Sequence, residues 1–401
     1  MESIRQIYRI GHGPSSSHTL GPRKAAETFI AGNPSAVSYT VTLYGSLAAT
    51  GRGHLTDATL NEAFQSRRLE ILWQPETFLP RHPNALRFEA KDADGKVTAE
   101  WTAYSTGGGT VTDDTETRES GCVYPHRTMN DILNYCNESG TTLWQYVEKY
   151  EGTEIWKFLA EIWKVMEDAI KRGLKSEDVL PGGLNLRRKA HTYMTKSKHY
   201  RDAFRKRATL FAYALAVSEE NAAGGIIVTA PTCGASGVVP AVMKYMKVYY
   251  RFVDDQILKA LATAGLIGVI IKHNASVSGA EVGCQGEIGT ACAMASGGAT
   301  QLFGGTIYQI EYSAEMGLEH HLGLTCDPVC GLVQIPCIER NAMAASRALA
   351  HNTFAMISDG RHMVSLDDVI KVMMQTGKDL PSVYKETSLG GLATLKRDSS
   401  S

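Results

Sequence analysis

The chain contains no uncharged apolar run longer than the 12 residues from 260 to 271. A membrane-spanning helix needs about 18 or more, so this run is expected to be a buried helix. Nor is there an excess of one charge. The 41 Lys and Arg nearly balance 42 Asp and Glu, for a formal net charge of −1, which removes any general attraction to nucleic acid or anionic lipid. The opening Met1-Glu2-Ser3-Ile4-Arg5-Gln6-Ile7-Tyr8-Arg9-Ile10 carries charge in every turn and no apolar stretch of signal-peptide length, so a cytoplasmic location is expected. Among the eight cysteines there is no Cys-x-x-Cys pair. Without an export signal, such a set reads as thiols or metal ligands rather than a disulfide framework. There is no internal repeat, and the only low-complexity segment is Ser399-Ser400-Ser401, at the end of a tail (393–401) expected to be disordered.

What is present describes an ordinary globular chain of 401 residues, 43% hydrophobic and 21% charged, long enough for two or three domains. The first part reads as mixed α/β. Pro22 is placed to open a helix over 22–31, and residues 37–44 alternate with period two in β-formers. Thr56 reads as the N-cap of a second helix with Leu60 and Phe64 on one face. Strands are expected near 86–90 and 97–104 around the turn at Asp94-Gly95, and Gly107-Gly108-Gly109 closes the unit. From about Asn130 the pattern becomes helical with almost no strand-like alternation. Trp144, Val147, Trp156, Phe158, Leu159, Ile162 and Trp163 are expected in helix packing, and Gly297, Gly298, Gly304 and Gly305 where helices approach closely. The expected fold is α+β: a small α/β domain over 1–135, then a larger, mostly all-α domain over 136–401, with the active site between them.

Three segments carry possible chemistry. Cys284, Cys326 and Cys337 lie in Gly- and Pro-punctuated polar stretches, Gly-Ala-Glu-Val-Gly-Cys284-Gln-Gly-Glu-Ile-Gly and Thr-Cys326-Asp-Pro-Val-Cys330-Gly-Leu-Val-Gln-Ile-Pro-Cys337-Ile-Glu-Arg-Asn. Their intervals match neither ferredoxin runs nor paired zinc ligands, so spacing alone leaves the metal open. Cys122, Cys136, Cys233 and Cys292 read as small buried hydrophobes. Cys330 follows Cys326 by four residues, but Pro328 between them makes the stretch a loop, where Cys330 is either an occasional fourth ligand or an inert thiol. Near the N-terminus, Ser15-Ser16-Ser17-His18-Thr19 precedes a helix start at Gly21-Pro22, which makes it either a capped turn or an anion cradle. His18, and His54 in Gly51-Arg52-Gly53-His54-Leu55-Thr56, titrate in the range that suits proton transfer. Asn274 and Ser276, on the approach to Cys284, are cap residues or partners of a ligand. Glu319-His320-His321 reads either as a helix cap or as a group that orients a ligand.

With Gly11-His12-Gly13-Pro14-Ser15-Ser16-Ser17-His18-Thr19 and Ala230-Pro231-Thr232-Cys233-Gly234-Ala235-Ser236-Gly237, these segments resemble the bacterial iron–sulfur L-serine dehydratases. The likeness is to their single-chain form, a beta-type domain followed by an alpha-type domain, and runs to about Leu392. It implies a [4Fe-4S] cluster held by Cys284, Cys326 and Cys337, with its fourth iron open to substrate as a Lewis acid. It implies that Ser15, Ser16, Ser17 and Thr19, joined by Asn274 and Ser276, receive the substrate, and that His18 or His54 is the base. The implied reaction is α,β-elimination of water from L-serine to pyruvate and ammonia, a step of amino-acid catabolism and gluconeogenesis. A homodimer without nucleic-acid or membrane partners is expected. The family pattern has glycine where this chain has Leu55, and no cysteine follows Cys337 to cap the open iron as in certain relatives.

Other readings compete. Pyridoxal phosphate could support the same products, but no lysine stands in a recognisable Schiff-base motif with a phosphate loop. Related elimination from L-cysteine or L-threonine is open. A non-catalytic serine-binding module with zinc on Cys326, Cys330, Cys337 and His321 is the reading from another class.

Overall fold

A computed structural model describes residues 1–115, 121–386 and 389–395. The expected change from mixed to helical structure is present: a β-sheet region near the N-terminus is followed by a helical region. The sheet has five strands in the order Arg68–Gln74, Ser38–Tyr44, Asn84–Lys91, Val97–Ser105, Val111–Asp113. The first two are parallel, joined through the helix Thr56–Phe64, and the rest are antiparallel. Alternation in Ser38–Tyr44 sends Tyr39, Val41 and Leu43 into a core with Phe64, Leu86 and Phe88, under the helix Gly21–Gly32. Two strands of this sheet escaped the sequence reading. Arg68–Gln74 is an edge strand, half-exposed along its length, so its alternation is blurred by charge. Val111–Asp113 continues the sheet beyond Gly107-Gly108-Gly109.

The helical region packs around Asp254–Asn274, whose segment 260–271 is wholly buried, as its lack of charge requires. Each fully enclosed Leu, Ile or Val there contributes about 1.5–3 kcal/mol. Thr290–Leu302 crosses it on small residues: a Cβ at Gly297 would strike Ile267, and one at Gly298 would lie 3.2 Å from the Ala260 carbonyl. Gly304 serves instead as a turn with φ +75°. Val147, Leu159, Ile162 and Trp163 are buried, and Trp144, Trp156 and Phe158 pack against them at the margin.

The first residues of the chain belong to this second core. Met1, Ile4, Ile7 and Tyr8 are buried in it, and the amino terminus donates to the carbonyl of Tyr124 at 2.5 Å. Ile10–His12 pairs antiparallel with Ile226–Val228, a short strand in a stretch where helical periodicity predicted none. The N-terminal loop is thereby fastened to the helical region before the chain enters the sheet. Gly13 is required at this seam, because a Cβ there would run into the Asn221 carbonyl, while Asn221 Nδ2 donates to Pro14 O at 2.8 Å.

Candidate active site

Ser15 stops the extended backbone and caps the π-helical turn Ser16–Leu20, its Oγ accepting from the His18 N–H at 3.2 Å. Ser16 Oγ accepts the Cys233 N–H at 2.7 Å, which ties the loop to the Ala230-Pro231-Thr232-Cys233 segment. Thr19 donates to the Ser15 carbonyl. All five residues from Ser15 to Thr19 are buried.

His18 is held at both ring nitrogens. Nε2 faces Thr50 Oγ1 at 2.8 Å and Ser46 O at 3.2 Å, and the Thr50 hydroxyl proton goes to Ser46 O at 3.0 Å. Nε2 therefore carries the hydrogen, and Nδ1 is the bare acceptor facing Ser17 Oγ at 2.9 Å. Burial lowers its pKa to about 4, opposed by the Ser46 carbonyl and assisted by the nearby His82. The His54 ring meets it edge-on with centroids 4.3 Å apart. His54 is also buried, and its Nδ1 has no hydrogen-bond partner. Burial, and then His18, push its pKa well below 6.5. Both rings are neutral at pH 7.

Leu55, next to His54, stands in the left-handed region at φ 59°, which explains why glycine suits this position. It also corrects the capping assignment. Leu55 precedes the helix without a side-chain bond, and Thr56 is the first helical residue, its hydroxyl donating to His18 O at 2.7 Å.

The cysteines approach from the other side. Cys284 begins the tight turn Gln285–Gly289, Cys326 lies beside the segment 384–386, and Cys337 opens the helix Cys337–Ile357. Sγ of Cys284, Sγ of Cys326 and a carboxylate oxygen of Glu287 lie within 4.8 Å of one another, as do ligand atoms of His18, His54 and Glu386. A hydrogen bond from Cys326, opposed by burial and aided by Arg340, lowers the Cys284 pKa to about 6. Giving that bond, and burial, hold Cys326 well above 9. Burial, then the charge on Cys284, do the same for Cys337. Glu287 is pushed well above the carboxylate range by burial, then by Cys284 and Glu386. Glu386 rises to about 8 through burial and then Cys284, against a hydrogen bond from Ser17. Among the described residues Arg340 is the guanidinium beside this crowd of thiols and carboxylates, and it also donates to Thr325 O at 2.7 Å. Soft donors crowded by like charge suit a cationic metal centre, so the residues present fit the group that the sequence pattern implies.

Not every predicted residue joins this group. Asn274 ends its helix with Nδ2 bonded to Arg127 O at 2.7 Å and Ile270 O at 2.9 Å. Ser276 bonds Glu281 and lines a neighbouring polar cavity of about 330 Å³ with His82, Lys272 and Thr110. Cys330 is exposed in a loop turn at φ 55°. His320 bonds His351 at 2.9 Å, and His321 bonds Gly317 O at 2.8 Å and faces Arg347 at 3.4 Å, so neither is turned to the cysteines by these contacts. Cys136, Cys233 and Cys292 are buried as expected; Cys122 is exposed, because it lies in the connection before the helical region rather than in a packed element.

The sequence reading missed Ser46, Thr50, Glu287, Arg340 and Glu386. Arg340 was within reach, since three residues after Cys337 on a helix is the same face. Glu386, in Tyr-Lys-Glu-Thr-Ser, had no local signal.

The serine dehydratase beta-chain family model matches residues 3–68, and the alpha-chain model matches residues 58–393. The chain belongs to the serine dehydratase family. It carries the beta-type part before the alpha-type part in one polypeptide and is an enzyme of the lyase class. It is 42% identical to an L-serine dehydratase of Streptomyces coelicolor over 98% of both chains. It is 41% identical to L-serine dehydratase TdcG of Escherichia coli, over 98% of this chain and 99% of that one. An L-serine dehydratase of Mycobacterium tuberculosis is 39% identical, over 98% of this chain and 97% of the relative. The alignments extend over 449 or 450 positions, more than this serine dehydratase family member has residues, so these relatives carry inserted segments. No helix among the described residues is long and apolar enough to cross a membrane.

Proposed function

We propose that this chain is an L-serine ammonia-lyase that eliminates water from L-serine to give pyruvate and ammonia, with a [4Fe-4S] cluster on Cys284, Cys326 and Cys337. The observation that carries the reading is the apposition of an electron-rich cysteine group and two neutral, buried histidines. When bound, the cluster supplies a Lewis-acidic iron that weakens the bond to the substrate's β-hydroxyl. The remaining work falls to side chains. Ser15 and Ser16, whose oxygens accept from the His18 and Cys233 N–H groups, keep hydroxyl protons for the substrate carboxylate, whereas Ser17 and Thr19 give theirs to His18 Nδ1 and the Ser15 carbonyl. His54 is the base of choice, because its Nδ1 is unpartnered whereas both nitrogens of His18 are engaged. A neutral imidazole there can take the α-proton, and His18 with Thr50 and Ser46 fixes the wall against which it sits. Burial of both rings keeps bulk water from the proton being moved.

A cytoplasmic homodimer belongs to the same reading. Phe354, Ile357 and Met363 form an exposed apolar group near the end of the helix Cys337–Ile357 that a second copy would cover. The relatives' names support serine over L-threonine or L-cysteine.

The test is pyruvate release from L-serine by protein purified without oxygen, with iron and sulfide assayed in the same sample. Activity that air abolishes and that iron with reductant restores is the expected result. Folded, iron-loaded protein that releases no pyruvate would overturn the assignment, and faster turnover of L-threonine or L-cysteine would move it to that substrate.

A further inference from the structure

We infer that the Glu386 carboxylate is the acceptor for the substrate's α-ammonium group, and thus the residue that selects an amino acid over its des-amino counterpart. The inference rests on the proposed reading of the substrate as an α-amino acid bound at the Ser15 to Thr19 turn.

Carboxylate and ammonium of an amino acid share one carbon, so their carboxyl carbon and nitrogen are about 2.5 Å apart. The ammonium acceptor must therefore border the cradle that holds the carboxylate. Among the described residues four acids lie in or beside the site, and three are already engaged. Glu287 Oε1 accepts from Thr232 at 2.8 Å, and its Oε2 lies 3.9 Å from both Cys284 and Cys326 sulfurs. Asp327 accepts from Thr325 at 2.8 Å and from the Leu392 N–H at 2.8 Å. Glu281 is bonded to Ser276 and lies 3.7 Å from His82 Nε2.

Glu386 differs. Its Oε1 is 3.5 Å from His18 Nδ1, the nitrogen that faces Ser17, so it borders the cradle. Its Oε2 is buried with no partner. Among the described residues no lysine or arginine forms an ion pair with it. A buried carboxyl oxygen without a partner is costly, and an ammonium brought beside it both bonds it and favours its ionised form.

The backbone is built to present this side chain. Glu386 stands in the left-handed region at φ 60°, a conformation that costs a non-glycine residue energy. Two bonds hold it there: its N–H donates to Cys326 O at 2.7 Å, and its carbonyl accepts from Ser46 Oγ at 2.6 Å. The residue thus joins the segment that carries Cys326 to the short helix Gly45–Ala49 that carries Ser46, and its carboxylate faces His18.

The test compares two ligands that are not turned over. L-Alanine keeps the carboxylate and ammonium without the leaving hydroxyl, and 3-hydroxypropionate keeps the carboxylate and hydroxyl without the ammonium. Calorimetric titration of iron-loaded wild-type and E386Q protein should show alanine weakened about 10- to 100-fold in the variant, with 3-hydroxypropionate unchanged within about twofold. KM for L-serine should rise with the alanine constant. Equal weakening of both ligands, or loss of both through misfolding, would make Glu386 structural and overturn the inference, as would unchanged alanine binding. The functional reading fails separately: it falls if the wild type releases no pyruvate, whereas an active wild type with an unaffected E386Q removes only this role of Glu386.

Discussion

The two walls of the site are built on opposite principles. The histidine wall is nearly complete by itself: Ser15, Ser17, Ser46, Thr50 and Thr56 bond one another or His18, the rings are neutral, and the conspicuous open valence is Nδ1 of His54. The cysteine wall is electrostatically unfinished: burial first, and then the charge on Cys284, hold Cys337 and Glu287 above their usual ranges, with Arg340 the guanidinium beside them among the described residues. A wall closed by hydrogen bonds can orient a substrate and move a proton, and a wall crowded with acidic groups is completed by a cation. On the proposed reading, positioning and proton transfer fall to the first region of the chain and metal binding to the second.

The hardest test of that division is Cys284→Ser. Iron content per chain and pyruvate release should both fall to background while far-ultraviolet circular dichroism is kept; an active, iron-free variant would erase the distinction between the walls. His54→Gln acts on the other side, with a loss of kcat of about 10²- to 10⁴-fold and unchanged iron content. Retained kcat would transfer the base to another group.

Metal-free protein gives a gentler comparison through pH. His18 titrates near 6.5 unfolded and near 4 folded, so the unfolded chain binds more protons between those values. Its contribution is present in full above about 6.5 and is lost as pH falls toward 4, about 2–4 kcal/mol in all. His18→Gln should flatten this part of the stability curve in urea titrations across pH 4–7; an unaltered slope would mean that His18 is not neutral in the folded protein. The smallest effect is expected at Leu55→Gly. Release of the left-handed strain and loss of the half-buried leucine nearly cancel, leaving a change within about 1 kcal/mol. A larger loss in the denaturation midpoint would show that the Leu55 side chain, rather than its backbone, supports His54.

Legibility followed the range of the interactions. The strand at Ser38–Tyr44 and the buried helix over 260–271 were readable because periodicity and lack of charge act within one segment. The half-exposed edge strand Arg68–Gln74 and the three-residue strand Ile226–Val228 were not, since each exists through its partner. In the site, the Ser15 to Thr19 turn and the segments around Cys284, Cys326 and Cys337 stood out by composition. Cys122 was misjudged because cysteine is usually buried and only the fold shows that this one is not.

By itself, then, the sequence determined which chemical groups are available, how nearly its positive and negative charges balance, and where helix and strand patterns change. Tertiary structure decided which groups meet: that residues 1–8 pack with the helices, that His54 keeps a free Nδ1 while His18 is tied at both ends, and that Glu386 joins a turn nearly 370 residues earlier. The physical reason is that composition and periodicity act over a few residues, whereas desolvation and charge coupling depend on distances across the folded chain, which no local pattern encodes.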